Sequence, residues 1–291
     1  MAGKDKPEID EATGTETTGH EWDGIKELDT PLPKWWLYTF YGTVIWGLLY
    51  TVAYPAWPMI ETATGGLIGY STRGQVHEAM AEAAKAKSAW TDRIAALDIA
   101  EVAGDAELAR FSMAGGAAVY RTNCSQCHGA GAAGVQAAGY PNLRDDAWLW
   151  GGSLEDIYHT VAHGIRNDQD PEARYSEMPA FGAMGLLDDA QIEAVAGHVL
   201  SLSGRHEPDA EGAAIFAEQC GFCHGERGEG MQAMGAPNLA DAIWLYGGSK
   251  ERVVESIHEA RFGVMPPWAG HLDEAEIKQV AIYVHSLGGG E

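Results

Sequence analysis

Basic residues are scarce in this sequence: 19 lysines and arginines stand against 42 aspartates and glutamates, a formal charge of -23 over 291 residues. A chain this acidic offers no basic face to neutralise phosphates, which excludes nucleic acid as a partner. Cysteine is scarcer still. Its four copies form two pairs, Cys124/Cys127 and Cys220/Cys223, each with two residues between its members. That is too few for a scaffold built on disulfides, and the spacing suits ligation or covalent attachment. The start of the chain lacks an apolar stretch behind a basic cluster, so no cleavable signal peptide is expected. From Trp35 to Ile60 there is no charged residue and no histidine. That run therefore brings no haem-ligating imidazole and no proton-relaying carboxylate.

What the run does offer is length, enough to cross the hydrocarbon core of a bilayer. Trp35, Trp36 and Tyr38 crowd one end and Tyr54 and Trp57 the other, as interfacial aromatics do. A transmembrane helix is expected over 34–60, with Thr39, Gly42, Thr43, Trp46, Tyr50 and Ala53 on one stripe where a neighbouring helix can seat. Four lysines precede the run and no basic residue follows until Arg73, a bias toward an inside N-terminus. Residues 1–33, rich in Thr, Gly and Glu, read as a flexible tail. Residues 61–110 read as a connector, helical from about Val76 to Leu97.

Beyond the connector the chain repeats itself. Cys124-Ser-Gln-Cys127-His128 returns as Cys220-Gly-Phe-Cys223-His224, Pro141-Asn142-Leu143 as Pro237-Asn238-Leu239, and Trp148 with Gly151-Gly152-Ser153 as Trp244 with Gly247-Gly248-Ser249. All keep one offset. Met178-Pro179 and Met265-Pro266 fall short of it, so the first copy holds about nine extra residues, placed in 166–177. Asp188 with Gln191 and Asp273 with Glu276 have capping-box spacing ahead of a final amphipathic helix. Ser153 and Ser249 are expected N-caps of a middle helix in each copy. Neither copy shows strand alternation.

CxxCH is the attachment sequence of c-type haem: two thiols reach the two vinyl groups of one porphyrin, and the adjoining histidine lies beneath the iron. Zinc would need four ligands where each motif has three. A redox CxxC would sit in a strand-rich unit, which is missing. Two haem c groups on Cys124, Cys127, Cys220 and Cys223 are therefore expected, with His128 and His224 as axial ligands. Met178 and Met265 occupy equivalent loops before the last helices and are expected as the opposite ligands, within one copy or across the pair. Met184, Met231 and Met234 have no counterparts. His159, His163, His198, His258, His271 and His285 match in no two copies and read as structural or surface residues. The carbonyls of Pro141 and Pro237, thirteen residues past the histidines, are placed to accept the other imidazole N–H.

The repeats resemble class I cytochrome c domains, Gly116 with Tyr120 and Gly212 with Phe216 matching that family's close contact of first and last helices. The segment Trp22-Asp23-Gly24-Ile25-Lys26-Glu27-Leu28-Asp29, with Pro31-Leu32-Pro33-Lys34-Trp35-Trp36, resembles the start of the dihaem subunit of cbb3-type cytochrome c oxidases. So do Tyr54-Pro55 and Gly69-Tyr70-Ser71-Thr72-Arg73. The resemblance covers essentially the whole chain. It implies an all-α fold: one N-terminal transmembrane helix followed by two tandem cytochrome c domains, 111–204 and 205–291. It implies an electron-transfer subunit of a proton-translocating terminal oxidase in aerobic or microaerobic respiration, with no catalytic residue and no oxygen-reducing site of its own. The implied partners are a catalytic haem–copper subunit, a monohaem c subunit, a soluble or tethered donor cytochrome c, and membrane lipid. The implied location is the bacterial inner membrane, single-pass, with the tail cytoplasmic and the haem domains periplasmic. Two other readings are a stand-alone peroxidase-like dihaem enzyme, which needs an open iron, and a redox sensor, which needs an output module in the tail.

Overall fold

Asp23 and Gly24, both at positive φ (51° and 85°), make the two-residue turn joining β1 (Thr17–Trp22) and β2 (Ile25–Leu28) into an antiparallel hairpin. An Asp-Gly pair suits the backbone twist of such a turn. The hairpin lies inside the segment expected to be a flexible tail, so that expectation is corrected over 17–28; the polar composition of 11–19 hid the turn signal. The computed structural model describes residues 7–290 and divides into two units, one ending at Ala84 and one beginning at Lys85.

In the first unit, helix α1 runs from Lys34 to Ala53, entered through Pro33. It stops short of Ile60 because Tyr54 is extended (φ -109°, ψ 159°) and precedes Pro55, whose ring disfavours helical geometry in the residue before it. The chain then folds back, Leu67 N donating to Val52 O at 3.0 Å. No residue of α1 is buried. Among the described residues no helix is long and apolar enough to cross a membrane. Helix α2 (Thr72–Ala96) leads into the second unit.

The second unit contains α3 (Ile99–Gly104), α4 (Ala106–Val119), α5 (Ser125–His128), α6 (Leu154–His163), α7 (Asp189–Leu202), α8 (Ala210–Gln219), α9 (Gly221–His224), α10 (Lys250–Glu259) and α11 (Glu274–His285). The expected caps are present: Ser153 and Ser249 accept from Asp156 N and Arg252 N, and Asp188 and Asp273 close capping boxes with Gln191 and Glu276.

Packing does not follow the sequence repeats. The last helix of the second copy, α11, lies on α4 and α6 of the first, while α7, from the first copy, lies on α8 and α10 of the second. Two cores result. One gathers Ile94, Leu108, Tyr120, Ile157, Val161, Ile277, Val280 and Val284. The other gathers Phe181, Ile192, Val195, Val199, Phe216, Val253 and Ile257. Each crossing is seated on a glycine. A Cβ at Gly116 would overlap Gln279 O on α11, and one at Gly212 would overlap Ala194 O on α7. One helical turn on, Tyr120 meets Tyr283 (ring centroids 5.6 Å apart) and Phe216 meets His198 (5.3 Å). The close first-to-last contact is there, formed across the two copies.

Gly116→Val must therefore prise α4 from α11. Urea unfolding followed by far-UV circular dichroism should show a loss of about 1–3 kcal/mol. Gly104→Ala, at a position with nothing within 4 Å, should show none.

Candidate haem sites

Both CxxCH turns are built alike. α5 and α9 end at Gly129 and Gly225, whose positive φ (81° and 80°) turns the chain off the helix. A loop then folds back, Gly134 N donating to His128 O at 2.9 Å and Gly230 N to His224 O at 2.7 Å. The isolated bridges Val135–Tyr140 and Met231–Ala236 close these loops. They deliver the carbonyls of Pro141 and Pro237 to within 3.2 Å of His128 Nδ1 and 3.0 Å of His224 Nδ1. Each ring thus holds its proton on Nδ1 and presents a bare Nε2. Burial pushes both imidazoles toward the neutral form, opposed by the bond to proline.

The thiols are unpaired. Burial, helped by the neighbouring Cys127 and Cys223, pushes Cys124 and Cys220 up to about 11. Thiolate chemistry, on which zinc binding and disulfide exchange depend, is disfavoured there.

Met265 packs in the core that holds Cys124, and Met178 in the core that holds Cys220. The backbone shows how. Ile165 and Met265 exchange two hydrogen bonds of 2.9 Å, and Trp268 N donates to Val161 O at the end of α6. In the other half Phe181 N donates to Ile257 O and Ala183 N to His258 O, at the end of α10. Of the methionines without a counterpart in the other copy, Met184 and Met231 are exposed. Of the histidines expected to be structural or surface residues, His198 packs on Phe216, His258 Nδ1 pairs with Glu259, and His271 stands edge-on to Trp268.

The structure shows buried polar groups whose state the motifs do not reveal. Trp150 and Trp244 each keep a buried indole N–H with no partner. An indole N–H can only donate, so these two call for an acceptor, and the carboxylates of a haem supply that kind. Arg174 stands 5.9 Å from the Trp150 ring and Arg261 4.9 Å from that of Tyr246. Both arginines precede their methionines by four residues. That equivalence, and that of Trp150 with Tyr246, is present in the repeat, but no motif draws attention to it.

Two helical cores, each with a CxxCH turn whose histidine is oriented by a backbone carbonyl, define a dihaem c-type cytochrome. Residues 14–61 match the family described as the N-terminal domain of cytochrome oxidase-cbb3, FixP. Residues 111–199 and 207–284 match cytochrome c oxidase, cbb3-type, subunit III. The chain is 56% identical to the cbb3-type cytochrome c oxidase subunit CcoP of Cereibacter sphaeroides, over 94% of this chain and 95% of that protein. It is 48% identical to the subunit FixP of Sinorhizobium medicae over the full length of both, and 49% identical to that of a Bradyrhizobium species over 99% of each. The chain belongs to the cbb3-type cytochrome c oxidase subunit III family, as a dihaem electron-transfer subunit carrying two haem c groups.

Tyr120 is buried and its hydroxyl donates to Gly129 O at 2.8 Å, tying the end of α4 to the turn beyond His128. Tyr120→Phe should lower stability by about 0.5–1.5 kcal/mol in denaturant unfolding, with both haems still attached by pyridine haemochrome assay.

Proposed function

We propose that thioether bonds at Cys124/Cys127 and Cys220/Cys223 hold the two haems, with His128 and His224 each binding one iron. The methionine ligands are exchanged: Met265 serves the iron of His128, and Met178 the iron of His224. The observation that carries this reading is the placement of each methionine in the core of the other copy's CxxCH turn. Trp150 and Trp244 would donate to haem carboxylates. Held by one histidine and one methionine, each haem would leave oxygen no place to bind and would supply outer-sphere electron transfer. The chain relays electrons from a donor cytochrome c toward the monohaem and haem–copper subunits, where oxygen is reduced and protons are moved.

α1 is read as the anchor. Its twenty residues span about 30 Å at 1.5 Å per residue, the thickness of a hydrocarbon core. Phe40, Tyr41 and Trp46 are 49%, 51% and 66% exposed on different sides of the helix, an arrangement costly in water. Its mean hydropathy is held down by Trp, Tyr, Gly and Thr, residues suited to bilayer interfaces and helix contacts. The tail then lies in the cytoplasm and the haem cores in the periplasm of a bacterial inner membrane, the compartment where haem c is attached.

The ligand exchange is tested in chains carrying Cys220→Ala and Cys223→Ala, which keep only the first haem. Met265→Leu in that background should abolish the methionine-to-iron charge-transfer band, and Met178→Leu should leave it. The opposite pattern would establish pairing within each copy. For the anchor, the full chain should pellet with membranes after alkaline carbonate washing, and a periplasm-targeted chain starting at residue 61 should not. A pelleting truncated chain would refute the role given to α1.

A further inference from the structure

The extra residues of the first copy fold back over α6 and meet two histidines one turn apart. His159 and His163 stand at i and i+4 on α6 with ring centroids 4.7 Å apart. Asp170 Oδ2 lies 2.9 Å from His163 Nδ1, and Glu172 Oε2 lies 3.3 Å from His163 Nε2. One ligating atom from each of His159, His163 and Glu172 falls within 4.8 Å of the others. We propose that these three side chains form a binding site for a borderline divalent transition-metal ion, zinc foremost, separate from both haem irons.

The donor set argues for that class. Two imidazoles and one carboxylate suit zinc and its neighbours, where calcium and magnesium favour oxygen alone. The Asp170 carboxylate on His163 Nδ1 fixes the ring so that Nε2 points to Glu172, the carboxylate–histidine support usual behind a metal-bound imidazole. His159 keeps a buried Nδ1 with no partner. Arg174 does not bar a cation, since its guanidinium is paired with Asp156 at 2.6 Å. Glu172 is exposed, which gives the ion a way in and leaves a fourth position for water.

The site belongs to one copy only. The positions equivalent to His159 and His163 are Glu255 and Glu259, and the segment bearing Asp170 and Glu172 has no counterpart. Glu255 is already paired with Arg252 and Arg261. The same scaffold thus has the cluster where the extra loop is present and lacks it where the loop is missing.

The test uses the untagged, detergent-purified holoprotein, dialysed against low-micromolar Zn2+ and assayed by elemental analysis alongside its haem spectrum. One zinc per chain should be retained. Asp170→Asn should weaken binding by about 10–100-fold, with the haem spectrum unchanged. The double variant His159→Gln/His163→Gln should lose the ion, and His77→Gln, on α2, should keep it. A wild-type chain that retains no zinc overturns the site whatever the variants do. So does a double variant that keeps both zinc and the wild-type haem spectrum, or a His77→Gln chain that loses as much.

Discussion

The second unit depends on two helix crossings that allow no side chain between them. At Gly116 and Gly212 the backbones of α4 and α8 press against carbonyls of α11 and α7. Because each crossing joins opposite copies, the approach of two helices also decides which methionine loop lies over which CxxCH turn. The cost of a Cβ in either place would fall on both at once.

Around each histidine the chain solves a second problem, the aim of an imidazole. The carbonyls of Pro141 and Pro237 reach Nδ1 only because Gly129, Gly134, Gly225 and Gly230 all take positive φ and fold the loop under the ring. A residue with a Cβ at Gly134 would overlap Tyr140 O. The glycines in these loops are needed for that geometry, and they explain part of the glycine content of the sequence.

Much of this is legible in the order of the residues. The four N-caps, the proline carbonyls thirteen residues past each histidine, and the glycine–aromatic pairs all come from local spacing. Local spacing survives in the fold because helices and tight turns are local objects. The exchange of α7 and α11 is not legible in this way. Both copies carry the same amphipathic pattern and the same Met-Pro pair, so either closing helix satisfies either core on paper, and only three-dimensional packing breaks the tie. The hairpin at 17–28 is hidden for another reason: four strand residues after an Asp-Gly turn are too few to stand out from a polar background. The cluster at His159 does not stand out either, because neither of its histidines has a counterpart in the second copy, whereas repetition marks every residue proposed as a haem ligand.

The crossing of α11 onto α4 also bears on the order in which the protein is made. The half around α7, α8, α9 and α10 is one continuous stretch of chain and has all its parts once Glu259 has emerged. The half around the first CxxCH turn, although written earlier, lacks its covering helix until the last residues arrive. The earlier motif therefore waits longest with its thiols and histidine uncovered, the condition under which a bulky planar pigment can be joined to them.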